Sequence, residues 1–386
     1  GASATGVLWR SRRMNWWISL RPSMKRRRNC MPTDPIPRTM QAVVYRGVND
    51  LRVETVPVPR CGAHEVLVKV SACGVCPTDI KKIQYGTVPA PRILGHETAG
   101  TLVKVGARVE GWRVGDRVAL HHHVPCLDCH ACRHGAYAQC PQYLRTGITA
   151  GFEPAGGGYA EYVRVMRFCL PGLVKIPRKN SFLEGAMLEP VNTVLKAVNR
   201  LNLLSGDTVM VAGQGPIGLM FTGLLAARGM RVVATDFMAP RRKMARRYGA
   251  RQALAPDSAE VAKVIRSATR GRGLDAAVVA VPVAAAVQQA QAQVRGGGQV
   301  LLFAHTRRGE RGPVEYADIC VDEKDLIGSY SSDFTLQREV ARWVFSRRLD
   351  VRPLITHTLP LAQTAEAVKL AAQPTPQSLK VAVVQD

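Results

Sequence analysis

Residues 208–236 read TVMVAGQGPIGLMFTGLLAARGMRVVATD. The β-branched run TVMVAG is followed at once by Gly213, Gln214, Gly215, Pro216, Ile217 and Gly218, then by an apolar stretch of helical length, then by a second β-branched run that ends in Asp236. Glycine allows so tight a strand-to-helix turn and lets the backbone approach a pyrophosphate, whose charge the helix N-terminus stabilises. A G-x-G-x-x-G string alone is a weak signal. Here a strand precedes it, a helix follows, and an acid stands about twenty residues on, which is the context dinucleotide binding requires. A carboxylate at Asp236 accepts from both ribose hydroxyls and repels a 2′-phosphate, so NAD is expected rather than NADP. Arg241 and Arg242 follow closely. An Arg there covers the adenine face, caps a helix start, or tolerates a phosphate.

The alternation continues outward through APRRKMARRYGA (239–250), LDAAVVAV (274–281) and GGQVLLFAH (297–305). Strands alternating with helices of ten to fifteen residues predict a parallel, doubly wound sheet over 193–327, with Gly296, Gly297 and Gly298 as a turn before its next strand. Upstream, over 40–192, short runs such as QAVVYRG and HEVLVKVSACG are broken by Gly, Pro and Asn-Asp, as in a partly closed β-rich domain. Residues 328–386 return to mixed texture and end in the strand KVAVV.

A chain of 386 residues with 46% apolar and 21% charged composition is ordinary for a two-domain globular protein. The apolar run AAVVAVPVAAAV (276–287) is too short to span a bilayer and contains Pro282. No membrane association is expected. Of the net charge of +24, a third sits in residues 1–39, which hold nine Lys/Arg against Asp34 alone. Without an apolar h-region this segment does not read as a secretion signal. It is expected to be an extension outside the fold, with the folded chain starting near Met31 or Met40. The remaining charge is scattered, with no aromatics interleaved among basic residues as a single-strand nucleic-acid face requires.

Cys126, Cys129, Cys132 and Cys140 stand at C-x2-C-x2-C-x7-C spacing. Disulfides would need an oxidising compartment, and the other six cysteines show no paired rhythm. Four thiolates surround one tetrahedral zinc and cross-link a loop without redox chemistry. A closed structural zinc lobe over about 121–145, in a cytoplasmic protein, is therefore expected. His121, His122 and His123 read as polar residues at a strand end rather than as a metal site, because a strand sends alternate side chains to opposite faces.

A second set is discontinuous. CGVCPTD (73–79) supplies Cys76, GHETAG (95–100) supplies His96 and Glu97, and LEPVNTVLKAV (188–198) supplies Glu189. Taken singly, these read equally as a buried thiol, a hydrogen-bonded histidine and carboxylates with structural partners. Together, sulfur, nitrogen and oxygen donors are what a catalytic zinc with an open position needs.

These motifs are carried by a chain that, from about Met40 onward, resembles the zinc-containing medium-chain dehydrogenase/reductase family. GHETAG resembles its zinc signature, CGVCPTD its first-ligand loop, the cysteine lobe its structural zinc and GQGPIG its nucleotide turn. EPVNTVLKAV is similar to the polyol branch, which includes sorbitol/iditol and threonine dehydrogenases and has Glu where classical alcohol dehydrogenases place a third Cys. The resemblance implies a GroES-like catalytic domain with an inserted Rossmann domain and a cleft between them. It implies a catalytic zinc on Cys76 and His96, with Glu97 and Glu189 as exchangeable donors, direct or through water. Thr78 matches the hydroxyl that begins a proton relay, and Asp79 the carboxylate that orients the ligand histidine. Lys81 stands where many members end the relay with His, Pro77 where others have Gly or Arg, and Lys196 where polyol enzymes often have His. Phe303 and His305 fall where the family approaches the nicotinamide.

The expected activity is hydride transfer from a secondary hydroxyl of an alcohol or polyol to NAD, giving a ketone. The expected assembly is a homo-oligomer, dimer or tetramer. A threonine 3-dehydrogenase-like enzyme is the nearest alternative. A zinc-free quinone reductase conflicts with Cys76, His96 and the cysteine lobe, and a non-enzymatic nucleic-acid-binding protein would have to show salt-sensitive DNA binding instead of alcohol oxidation.

Overall fold

The computed structural model describes residues 35–121, 124–145, 156–304 and 309–385. His122, His123 and His305, and nearly all of the basic segment 1–39, lie outside them. No helix among the described residues is long and apolar enough to cross a membrane.

Thr208–Ala212 forms a strand with every residue buried. It lies at the centre of a six-stranded, all-parallel sheet. To one side lie Arg231–Thr235 and then Gln252–Leu254; to the other lie Leu274–Val279, Val294–Leu302 and Asp325–Gly328. Numbered along the chain, this is the order 3-2-1-4-5-6 of a Rossmann sheet. The order reverses between Thr208–Ala212 and Leu274–Val279, so the ligand crevice opens beyond their carboxyl ends. Burial on both faces explains why these strands are continuous apolar runs rather than alternating ones.

The three glycines at 296–298 do not form the expected turn. They lie inside the strand Val294–Leu302, where pairing jumps from Leu274 with Val294 to Ala276 with Gln299. The surplus residues bulge out, with Gly297 at φ +67°. Glycine permits this outward loop within a strand.

The other strands make two β-rich layers. Asp50–Pro57, Thr39–Gly47 and Arg92–Ile93 form one sheet. A seven-stranded sheet is built around Val66–Gly74, which pairs antiparallel with Glu97–Val105 and Tyr162–Val165. Its other neighbour is the chain's last strand, Lys380–Val384, which also pairs antiparallel and carries Ile355–Pro360 beside it. The chain thus leaves the β-rich layer, builds the parallel sheet and returns: a GroES-like unit with a Rossmann unit inserted, as the motifs imply. The helix Leu188–Val198 joins the two, buried along most of its length and packed against the helix Pro216–Ala227.

Candidate active site

Antiparallel pairing assembles the first site. Gly74, at the end of Val66–Gly74, lies opposite Glu97, at the start of Glu97–Val105. That register brings the segment after Gly74 beside the residues flanking Glu97. A Cβ at Gly74 would overlap Glu97 Oε2, so glycine leaves the space this carboxylate occupies. Two residues on, Cys76 caps the helix Pro77–Tyr85 in extended conformation, with its Sγ accepting from the Thr78 N–H at 3.4 Å and Pro77 in the first turn. The ligand atoms of Cys76, His96 and Glu97 all lie within 4.8 Å of one another. Glu189 is not part of this tight triad. It is buried in the first turn of Leu188–Val198, close enough to His96 and Glu97 to share their field.

His96 Nδ1 is 3.2 Å from Asp79 Oδ1, and both side chains are buried. Engagement of Nδ1 directs Nε2 to the metal side, the arrangement that ligand histidines use. Tyr159 donates from its hydroxyl to Asp79 Oδ2 at 3.4 Å. Burial lowers the His96 pKa, but the negative charges of Asp79 and Cys76 outweigh it and hold the imidazole well above its ordinary value. Asp79 is pulled down: burial raises it, and the His96 charge more than reverses that. Burial, reinforced by Glu97, pushes Glu189 up to about 7, with His96 and Lys380 opposing.

Sequence reasoning missed Lys380. It begins the last strand, donates to Glu97 Oε1 at 2.6 Å and to the Val75 carbonyl at 2.9 Å, and is buried. Burial lowers its pKa, and Glu97 and Cys76 raise it further than burial lowers it. An unpaired buried ammonium would cost several kcal/mol, and Glu97 supplies its partner. The sequence signal was a Lys at the head of an otherwise apolar strand, visible only once the pairing is known.

Thr78 and Lys81 lie half-buried on the same helix as Asp79. Lys196, also half-buried, donates to the Tyr330 carbonyl at 2.8 Å. His121 lies just past the end of the strand Arg117–Ala119 and is buried, with its side chain where a Cβ on Gly172 would stand.

The second site is the cysteine lobe. Cys129 and Cys132 sulfurs are 3.5 Å apart and Cys126 and Cys132 3.9 Å, with all four sulfurs mutually within 4.8 Å. Sulfurs bound at about 2.3 Å around a tetrahedral zinc are about 3.8 Å apart, so these thiols fit one ion without rearrangement. Backbone N–H groups already point at the sulfurs, from Cys129 to Cys126 at 3.3 Å and from Cys126 to Cys140 at 3.4 Å, and would stabilise thiolate charge.

The third site is the glycine turn. Gly213 has φ +88°, and a Cβ there would collide with Val281 across the crevice. A Cβ on Gly218 would overlap the Gly213 carbonyl, so glycine lets the helix pack onto its strand. Gly215 caps the helix Pro216–Ala227, with Pro216 in its first turn and Ile217 packed against the core. Asp236 accepts from Gln214 N–H at 2.7 Å and Met238 N–H at 2.8 Å, which hold the carboxylate beside the turn. Arg241 comes within 3.9 Å of Asp236, whereas Arg242 is spent on the carbonyls of Asp236 and Phe237.

Two family models match the chain: the alcohol dehydrogenase GroES-like domain over residues 62–178 and the zinc-binding dehydrogenase over residues 216–346. Sorbitol dehydrogenase of Bacillus subtilis is 32% identical over 359 residues, covering 91% of this chain and 99% of the relative. Among solved structures, a Sinorhizobium meliloti protein described as a zinc-binding dehydrogenase and bound to NADP aligns with a TM-score of 0.82 at 27% identity, over 90% of this chain and 99% of the other. The 2R,3R-butanediol dehydrogenase of Bacillus subtilis aligns with a TM-score of 0.80 at 26% identity, over 90% and 100%.

Proposed function

The chain belongs to the family of zinc-binding alcohol and polyol dehydrogenases with a GroES-like domain, enzymes that use a nicotinamide dinucleotide, and from that premise we propose that it oxidises a secondary hydroxyl of a polyol to a ketone with NAD as acceptor. The observation that carries this reading is the cluster of half-buried Cys76 with buried His96 and Glu97, and Glu189 beside it, a donor set of one sulfur, one nitrogen and two carboxylates. Cys76, His96, Glu97 and Glu189 would hold a zinc there, which would supply Lewis acidity towards a substrate hydroxyl, with a nicotinamide dinucleotide as the source of hydride-accepting chemistry. Asp79 orients His96, while Lys380 holds Glu97 in place next to it. Thr78 matches the hydroxyl that would begin a proton relay, and Lys81, on the same helix, stands where many relatives end that relay with His. Cys126, Cys129, Cys132 and Cys140 would hold a structural zinc, a use of thiols that suits a reducing cytoplasm.

The test is a panel of polyols, amino alcohols and simple alcohols with NAD on the zinc-loaded chain, followed as NADH absorbance. A polyol is expected to show the highest kcat/KM. Threonine as the best substrate would replace the polyol reading with the threonine dehydrogenase one.

Asp236 supports NAD over NADP, because a carboxylate held at this turn by the Gln214 and Met238 N–H groups suits ribose hydroxyls and would repel a 2′-phosphate. Arg241 nearby compensates in part. The KM for NADP is expected to exceed that for NAD by at least about tenfold, one misplaced charge being worth about 1.4 kcal/mol or more. Asp236→Ser should shrink that ratio. Equal KM values in the parent enzyme would remove the NAD assignment.

We further propose a homo-oligomer joined at Asp325–Gly328, the edge strand of the parallel sheet. Among the described residues this strand pairs on one side only, and Leu326 in it and Tyr316, Ile319 and Val321 just before it in the chain are exposed apolar side chains that a second copy would cover. Light scattering should give at least two chains per particle, and Leu326→Lys should shift it towards one. A single-chain mass for the parent protein would refute this.

A further inference from the structure

The cysteine lobe reaches beyond its own metal site. One turn after Cys140, Tyr143 lies buried with Cys132 and Cys140 in the lobe's small core, yet its hydroxyl is hydrogen-bonded to Ser331, 188 residues away. Ser331 belongs to the segment Ser329–Asp333, which leaves the carboxyl end of the strand Asp325–Gly328. In open parallel sheets that end is where ligands sit. The opposite side of this segment is tied to the helix that carries Glu189. Lys196 donates to the Tyr330 carbonyl, and Asn192 exchanges hydrogen bonds with the Asp333 backbone at 2.9 and 2.8 Å. Tyr137 of the lobe packs edge-on against Phe334, with centroids 5.8 Å apart.

Two further observations give the tie a purpose. Ser331 adopts φ +60°, a left-handed conformation that a non-glycine residue holds only where its surroundings over-determine it. The Tyr143 hydroxyl also lies within the field of Glu189 and within hydrogen-bonding reach of Ser332. The phenol therefore stands where lobe, Glu189 helix and dinucleotide sheet converge.

We propose that Tyr143 is a positioning residue through which the four-cysteine lobe sets the wall formed by Ser329–Asp333 across from Glu189, and thereby the fit of the alcohol. This rests on the reading of the Glu189 pocket as the alcohol site. The lobe is then part of substrate binding as well as a staple.

The test compares Tyr143→Phe, Ser331→Ala and the double variant with the parent, all zinc-loaded, at saturating NAD. Tyr143→Phe keeps the ring in the lobe core and removes only the hydroxyl. Loss of one buried hydrogen bond should raise KM for the best alcohol about five- to tenfold while kcat stays within about twofold, KM for NAD is unchanged and two zincs per chain remain. Ser331→Ala should do the same, and the double variant should be no worse than either single one, because one tie is being cut. An unchanged KM in Tyr143→Phe, or additive effects in the double variant, overturns the inference, and so does a fall in active fraction with KM intact. If the parent oxidises no alcohol, the functional reading fails by itself. Hydrogen exchange of residues 329–333 in the NAD complex then decides the tie: faster exchange in Tyr143→Phe supports it, and equal rates overturn it.

Discussion

Cys76→Ala is expected to cut kcat/KM by about 10³-fold or more while leaving NAD binding within about twofold. The size follows from what the sulfur does. Removing one of three clustered donors leaves His96 and Glu97 to hold the ion, and Glu97 is already engaged by Lys380. Losing the metal forfeits several kcal/mol of charge stabilisation in the transition state, and each 1.36 kcal/mol is tenfold in rate. The fold should tolerate the change. Cys76 also caps the helix Pro77–Tyr85, and loss of such a cap costs about 1 kcal/mol. NAD binding should be insulated because the Gly213–Gly218 turn and Asp236 belong to the parallel sheet, whereas Cys76 follows a strand of the β-rich unit. Metal analysis should fall from two zincs per chain to one, and calorimetric titration with NAD should be nearly unchanged. Near-parental turnover in a variant shown to lack one zinc would remove the catalytic assignment.

Much of this arrangement is legible in the chain because its signals are local. The glycine turn declares itself between a strand and a helix, and Asp236 sits one βαβ step away. The four cysteines lie within fifteen residues, so their convergence needs no long-range pairing. Glu97 is different. The chain shows that it follows His96, but its partner Lys380 is 283 residues away and meets it only because Lys380–Val384 pairs with Val66–Gly74. A strand pairing of that separation leaves no periodicity behind. Tyr143 is hidden for the same reason: nothing near it in sequence suggests that its hydroxyl belongs to the segment after Gly328. The glycines at 296–298 mislead for a third reason, since three consecutive glycines fit a turn and a bulge equally well, and only the register of the neighbouring strand separates the two.

Cys132→Ser should lower the melting temperature by about 8 °C and leave one zinc per chain, with turnover at 25 °C retained. Cys132 is the buried member of the lobe closest to two other sulfurs, so its loss opens the tetrahedron from inside. The lobe has little else to hold it: its core is Cys132, Cys140 and Tyr143, with three more side chains packed alongside. A hydroxyl in place of the thiolate is a poor zinc ligand, and it leaves a polar group in the lobe's small buried core. Loss of a structural metal belongs to the few changes that exceed about 4 kcal/mol, and for a chain of this size each kcal/mol moves the midpoint by about 2 °C. The cluster of Cys76, His96 and Glu97 is built on the pairing of Gly74 with Glu97, outside the lobe, so kcat should survive. KM should not, because Tyr143 leaves the lobe for Ser331 and a loosened lobe releases that hydroxyl. Calorimetry at a fixed scan rate, metal analysis and steady-state kinetics on one preparation separate these effects. An unchanged midpoint with two zincs still bound would show that the four thiols are not what staples this loop.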